Sequence, residues 1–243
     1  MAALLLALFV AATAMSATDR QSRAVALPAG RSLTLEIAVG AVRIEGWDRD
    51  DAQLVIERRA PSTAALDRLP VVVDESPERV SVRILQEGGG TDAALVSDVT
   101  VRVPRLADIH RVQVLEGRVT LMGLGGRVAA DVRRGPIEAT GVSGVLRLET
   151  GIGDVSVSGA RLSAGGLLRL RAFNGDVSLA LAERPAHARV LALALNGTIR
   201  SDIPLTMRDQ WGPRWGEAAI GRGEPVISLD VVTGTIDITS RTP

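Results

Sequence analysis

Apolar and polar residues alternate along most of this chain, and glycine recurs among them at regular intervals. Between residues 117 and 157 a glycine stands every nine residues, and an apolar side chain follows each glycine at the second position. The glycines are Gly117, Gly126, Gly135, Gly144 and Gly153, and the apolar residues are Val119, Val128, Ile137, Leu146 and Val155. Side chains two apart in a strand share a face, so each unit predicts a strand of about five residues and a turn of about four.

The glycines continue as two interleaved series whose steps lengthen together. One series is Gly117, Gly135, Gly153, Gly175, Gly197 and Gly234, and the other is Gly126, Gly144, Gly166, Ala188 and Pro225. The steps are 18 or 22 residues until a last step of 37, which contains the insertion SDIPLTMRDQWGPRWGEAAIGRGE. Such periods are typical of solenoids, whose units bury their apolar faces against their neighbours. The predicted fold is all-β, a parallel β-solenoid with two-sheet rungs of 18–22 residues after N-terminal β-strands.

Stacked units of this kind predict an aliphatic core with one polar and one mixed outer face. The expected inner ladders are Val119, Ile137, Val155, Val177, Ile199 and Ile236 in the first sheet, and Val128, Leu146, Leu168, Val190 and Ile227 in the second. Outer positions of the first sheet are polar, whereas those of the second include Val145, Leu167 and Leu191 among arginines. Apolar residues on an outer face indicate cover by another segment or by a partner.

A signal peptide followed by one domain is the predicted organisation. Residues 2–14 form an apolar run that leads into small residues, which is typical of a secretory signal peptide, here placed at 1–17. The run is shorter than the ~20 residues of a membrane-spanning helix. No basic residue precedes it, so an uncleaved anchor is the alternative. The domain is expected at 18–243, with N-terminal strands at 25–115, regular units at 117–240 and an inserted loop at 202–224.

Composition narrows the possible chemistry. The 243 residues include 2% aromatics and no Cys, and all 28 basic residues are Arg. Lysine and cysteine nucleophiles and cysteine-bound zinc are therefore excluded. The formal net charge is zero, and since nucleic-acid binders normally carry a basic excess, no nucleic-acid partner is expected.

The order of these motifs resembles the bacterial putative-adhesin family, exported proteins of unknown function. The motifs that carry the resemblance are GAVRIEGWDRDDAQLVIE at 40–57, VTVRVPRLADIHRVQVLEGRVTLMGLGG at 99–126, the serial Gly-x-Val units, SDIPLTM, and GRGEPVISLDVVTGTIDI. The resemblance spans Ser32 to Ser240. It implies a β-solenoid fold and export, and it supplies no catalytic residue.

The histidines and the aspartates in predicted turns fit structural roles better than catalysis or metal binding. A nucleophilic triad would need His110 or His187, and neither lies in a motif of known catalytic geometry. The carboxylates of GIGD, NGD and WDRDD fit turns better than calcium sites, because the tandem nonapeptide calcium repeat does not recur. Asp154 and Asp176 in one ladder support a polysaccharide-active β-helix enzyme, but few aromatics are present to stack on sugars. No catalytic residue, metal or cofactor is predicted.

The inserted loop holds the most unusual group of side chains. Exposed Trp and Arg are typical anchors of binding sites, and the alternative is that both Trp rings pack on the apolar outer face or cover the end of the solenoid. The candidate partner-binding residues are Trp211, Trp215, Arg208, Arg214, Val145, Leu167 and Leu191.

These observations predict a non-enzymatic, exported module that binds or scaffolds at the cell envelope or surface, in the periplasm or outside the cell. The expected partner is an unknown protein or glycan of the envelope, and no membrane span is expected in the mature chain. The alternatives are a periplasmic regulatory or envelope-sensing domain and the polysaccharide-active enzyme.

Overall fold

The computed structural model describes residues 16–208 and 212–241, whose strands form one hydrogen-bonded network. One helical turn, α1 (Thr63–Leu66), lies between the third and fourth strands. The strands are β1 (Ala17–Ala26), β2 (Ser32–Trp47), β3 (Asp51–Ala60), β4 (Val72–Glu75), β5 (Arg79–Ile84), β6 (Val96–Pro104), β7 (Asp108–Met122), β8 (Arg127–Arg134), β9 (Ile137–Thr140), β10 (Val145–Ile152), β11 (Val155–Ala160), β12 (Leu167–Asn174), β13 (Val177–Leu181), β14 (Ala188–Ser201), β15 (Thr206–Arg208), β16 (Arg214–Ile220) and β17 (Val226–Ser240).

Eight parallel strands close into a barrel. In hydrogen-bonded order they are β7, β8, β10, β12, β17, β13, β11 and β9, and β9 pairs again with β7. The ring closes because β7 and β17 are long enough to pair with two strands each, one along each half. We call the first halves of β7 and β17, with β8, β10 and β12, row A. Their second halves, with β9, β11 and β13, are row B.

The predicted β-solenoid is wrong, although the chain is all-β as expected. A solenoid stacks its units in chain order, which would place Val190 between Leu168 and Ile227. Instead, β17 inserts between β12 and β14, so that Ile227 pairs with Leu168 on one side and Val190 on the other. At the opposite end, β7 pairs with the edge of β2 that β6 leaves free. The architecture is therefore a closed eight-stranded parallel barrel with further strands outside it.

Within the barrel, the glycine period sets the register of neighbouring strands. Val128 pairs with Leu146, and Leu146 pairs with Leu168. Ile137 likewise pairs with Val119 and Val155 in row B. The inner ladder residues of the eight barrel strands are all at most 1% exposed, and no aromatic side chain belongs to this buried cluster. The core is aliphatic, as the composition indicates.

Glycines of the first series stack on one another where row A passes into row B. At Gly135 the backbone φ is 136°, and an added Cβ would overlap the carbonyl oxygen of Gly117 in the neighbouring strand. The same overlap recurs between Gly153 and Gly135. Glycine is required at these positions because only a residue without Cβ lets two backbones approach so closely.

The remaining strands lie outside the barrel, on both of its flanks. Strands β1 to β6 attach through β2 beside β7, and β14 to β16 attach beside β17. Among residues 16–208 and 212–241, no helix is long and apolar enough to cross a membrane. The predicted signal peptide lies almost wholly outside the described residues, since β1 begins at Ala17.

Candidate functional site

Row A and the strands beside it present one continuous outer face. Side chains alternate along each strand, so Leu146 and Leu148 point into the core while Val145, Arg147 and Glu149 point outward. We call these outward positions the outer face of row A. Across the sheet they are Arg127, Ala129 and Asp131; Val145, Arg147 and Glu149; Leu167, Arg169, Arg171 and Phe173; Val226, Ser228, Asp230 and Val232; Arg189, Leu191, Leu193 and Leu195; Trp215 and Glu217; and Thr206 and Arg208.

The structure places five of the seven candidate partner-binding residues on this face. Val145 pairs directly with Leu167. Leu191 lies on β14, next to the outward row in which Trp215 pairs with Leu193 and Arg208.

The other two candidate residues, Arg214 and Trp211, are not among the residues placed on the outer face of row A. Arg214 pairs with Ala194 and alternates with Trp215, so its side chain leaves β16 on the opposite face. Trp211 lies outside the described residues.

The insertion extends the sheet. Strands β15 and β16 form a hairpin that pairs edge to edge with β14. The described part of the insertion therefore widens the outer face.

An apolar patch occupies the β14 side of this face. We define it as Leu191, Leu193, Leu195, Trp215, Phe173 and Val232. Leu195 and Phe173 are 43% and 39% exposed, and the Arg171 guanidinium lies 4.6 Å from the centre of the Phe173 ring. A contiguous exposed apolar surface rimmed by polar groups is typical of an interaction site.

Beside the apolar patch lies a groove lined by arginines, with a volume of about 360 Å³. Its lining residues include Arg111, Arg147, Arg169, Arg171, His110 and the small Ala129, together with the carboxylates Asp131 and Glu149. We call it the arginine groove. In cross-strand register Arg147 lies between Ala129 and Arg169. Two like charges thus face each other across neighbouring parallel strands.

Of the four arginines in this groove, one forms an ion pair with another of the described residues. The Arg171 guanidinium lies 3.8 Å from the Glu149 carboxylate. Arg111, Arg147 and Arg169 form no ion pair with any residue in 16–208 or 212–241. Burial raises the pKa of the neighbouring Asp230 carboxyl, against the lowering influence of Arg169 and Arg171. Four arginines and two carboxylates line the groove, so positive charge is in excess along its lining.

Asp230→Asn is expected to stabilise the protein near neutral pH. Because the folded-state pKa of Asp230 is raised, the contribution of this carboxyl to stability is fully present below pH 3.8 and is lost as the pH rises through the folded pKa. The asparagine variant should therefore melt at a higher Tm than the wild type at pH 7, and the difference should shrink toward pH 3.8. Thermal melts across this pH range measure it.

Asp19→Asn provides a control of opposite sign. A hydrogen bond from Arg58 lowers the pKa of Asp19, and the two side chains lie 2.6 Å apart. Its contribution to stability is present above pH 3.8 and is lost as the pH falls through the folded pKa. This variant should lower the Tm at pH 7. A lower Tm for both variants would show that the two carboxyls do not differ as described.

The residues weighed above for catalysis or calcium binding lie in separate parts of the fold, and His110 lines the arginine groove. His187 lines a cavity of about 540 Å³ formed by end loops, and its Nδ1 accepts a hydrogen bond from the backbone N–H of Arg222. The Asp154 carboxylate accepts from the N–H of Asp176, whose own carboxylate accepts from the N–H of Thr235. These two carboxylates hold the turns of adjacent strands together. Among the described residues, no group of three His, Asp or Glu side chains is arranged to hold a metal ion.

Sequence reasoning missed the arginine groove as a site. Arg147 and Arg169 occupy the same position in two successive units, in the aligned segments VLRLET and LLRLRA. This repetition was a usable signal for two adjacent charges. Arg111 carried no such signal, because it reaches the groove through an irregularity in the pairing of β7.

The chain is similar in structure to several solved bacterial proteins, while no protein-family model and no curated protein matches it. A "putative cell adhesion protein" from Clostridium sporogenes ATCC 15579 is 12% identical, with a TM-score of 0.53, over 93% of this chain and 100% of that one. A "putative adhesin" from Bacteroides fragilis NCTC 9343 has 12% identity and a TM-score of 0.39, over 92% and 97% of the two chains. A "putative lipid binding protein" from Parabacteroides distasonis ATCC 8503 has 9% identity and a TM-score of 0.42, over 90% and 96%. The Clostridium protein shows that this fold is shared by a solved structure.

Proposed function

We propose that this protein is a non-enzymatic binding module, exported to the cell envelope or surface, and that it binds its partner with the outer face of row A. The observation that carries the proposal is the composition of that face. It joins a partly exposed apolar patch to arginines without ion-pair partners among the described residues. Aromatic and arginine side chains around an apolar centre are the usual anchors of protein interfaces.

The outer face of row B provides an internal comparison. Its exposed arginines are engaged with carboxylates: Arg118 pairs with Glu138, and Arg200 lies 2.7 Å from Asp237. Thr198 and Ser156 on the same face make hydrogen bonds with side chains of neighbouring strands. A polar face with its charges paired is well suited to water, whereas the outer face of row A retains both apolar surface and free charge.

The name of the Clostridium protein agrees with binding at a cell surface. Its fold is shared by this chain, and a shared fold alone does not transfer an activity. The proposal therefore depends on the face itself. We take the partner to be a protein or glycan of the envelope, which fits a surface that combines aromatic, aliphatic and charged groups.

The double variant Leu193→Ser with Trp215→Ala is expected to lose envelope binding. These side chains pair across β14 and β16 at the centre of the apolar patch, and truncating such anchors typically weakens binding by about ten-fold or more. The measurement is co-sedimentation of the purified protein with bacterial envelope fragments. Fragments treated with protease or with periodate separate a protein partner from a glycan.

Thr120→Ala with Thr198→Ala on the outer face of row B is the matched control. These residues lie on the polar face, so this variant should sediment like the wild type. The proposal would be contradicted if wild-type protein did not sediment with the fragments, or if both double variants bound as strongly as the wild type. Far-ultraviolet circular dichroism and a thermal melt establish that each variant is folded.

A further inference from the structure

We propose that the arginine groove binds a phosphate group. The inference rests on the proposed function, because the groove is the basic part of the same outer face. It names the chemistry that this part of the face recognises. The groove volume of about 360 Å³ lies at the lower end of the range for small-molecule sites and can hold a phosphate with the group that carries it.

The first argument is the electrostatic cost of the arrangement. Arg147 and Arg169 are directly paired positions on parallel strands, which lie about 4.8 Å apart. Like charges at paired positions destabilise a sheet. Neither guanidinium has an ion-pair partner in 16–208 or 212–241, so an anion between them would remove the repulsion.

The second argument is the shape of the groove floor. Two residues of β7, His110 and Arg111, stand opposite the single residue Ala129 of β8, because the register shifts between Ile109 and Val112. Such bulges redirect side chains. Ala129 is the smallest side chain in its cross-strand row and leaves space between Arg111 and Arg147. The bulge therefore brings a third guanidinium to the side of the groove opposite Arg147 and Arg169.

The number of cations favours phosphate over a carboxylate. One guanidinium fork suffices for a carboxylate, whereas a phosphate monoester carries up to two charges and three free oxygens. Asp230 lies next to the groove, paired with Arg171. The groove lining itself supplies four arginines against two carboxylates, Asp131 and Glu149. The carboxylates lie at paired positions of the adjacent row and bound the cationic part of the groove on one side. Three of the four guanidinium groups have no ion-pair partner in 16–208 or 212–241, and together they can donate hydrogen bonds to the three free oxygens of a phosphate monoester.

The test is isothermal titration calorimetry at constant ionic strength. The sample is the purified protein comprising residues 18–243. The probes are inorganic phosphate, glycerol 3-phosphate and acetate. Vesicles of phosphatidylcholine, with or without phosphatidic acid, are tested by flotation. We expect saturable binding of at least one phosphate probe and none of acetate. A response to the soluble probes identifies a free phosphate ester as sufficient, whereas a response to phosphatidic acid vesicles alone identifies a lipid headgroup as the source.

Arg147→Gln with Arg169→Gln should weaken phosphate binding at least ten-fold, since each charged hydrogen bond typically accounts for about one order of magnitude. Arg118→Gln with Arg200→Gln, on the outer face of row B, also removes two positive charges. This control should leave the affinity for phosphate within two-fold of the wild type, a margin of about 0.4 kcal/mol. Both positions of each pair are exposed, and the single variant Arg169→Gln replaces the double variant if folding is impaired.

Three results would overturn the inference: no binding of any phosphate probe, equal binding of acetate, or equal losses in the two arginine pairs. The outcome is separable from that of the proposed function. Leu193→Ser with Trp215→Ala leaves the groove arginines in place and should keep phosphate binding while losing envelope binding. Failure of phosphate binding with intact envelope binding would reject the groove alone. The reverse result would reject the apolar patch as the partner site.

Discussion

Gly135→Ala is expected to lower the free energy of unfolding by about 3–5 kcal/mol. Its φ of 136° is a conformation that residues with a Cβ rarely adopt, and the new Cβ would overlap the carbonyl oxygen of Gly117. That oxygen belongs to the backbone of a paired strand, so relief requires two barrel strands to move apart. Urea unfolding followed by circular dichroism gives the change in free energy.

Gly141→Ala is the comparison for Gly135→Ala. It tests the cost of a positive φ at a position where no neighbouring backbone blocks the added Cβ. Gly141 also has a positive φ, 61°, but an added Cβ would meet nothing within 4 Å. Its replacement should cost only the conformational term, about 1–2 kcal/mol. If the two variants lost equal stability, the stacking of glycines in the barrel would not be the reason for the nine-residue period.

A chain that ends at Pro225, and so lacks β17, is expected to lose the cooperative fold altogether. Strand β17 pairs with β12 and β13 on one side and with β14 on the other. Its removal opens the barrel and separates β14 to β16 from every other strand. A chain stacked in sequence order would lose only its last unit. The measurement is the thermal unfolding transition, together with the fraction of soluble protein.

A chain that begins at Leu27 is the matched control at the other terminus. It lacks β1, which is longer than most strands but pairs only with β3, outside the barrel. We expect a cooperative transition at a lower Tm, because Val25 and the contacts along β3 are lost while the barrel remains closed. If the chain without β17 also melted cooperatively, closure of the barrel would not be what holds the fold together.

The sequence predicted strands and register well because both follow from local periodicity. A glycine followed by an apolar residue two positions later places Leu146 inside and Arg147 outside whatever the order of the strands. The order itself is set by contacts between distant segments. Nothing in the spacing of Ile199 and Ile236 indicates that Ile236 pairs with Val177 while Ile199 lies at the far edge. Equal steps in both series made sequential stacking the simplest interpretation, and it was wrong.

The candidate site was predicted in part for the same reason. Val145, Leu167 and Leu191 were correctly placed on an outer face by alternation alone. The neighbours of Trp215 depended on the hairpin of β15 and β16, which pairs against β14. The approach of Arg111 to Arg147 depended on a β-bulge. Both are departures from the regular pattern, which periodicity cannot reveal.

The position of β17 also has a consequence for how the protein is made. The strand that completes the barrel is the last of the described strands to be synthesised, and its partners β12 and β13 lie some 60 residues earlier in the sequence. Until residues 226–240 have emerged, those two strands carry unpaired edges, and such edges readily pair with other chains. The barrel therefore cannot close before β17 has been synthesised. A chain built this way exposes the unpaired edges of β12 and β13 until β17 has been made, so the interval before closure is when it is most open to pairing with other chains.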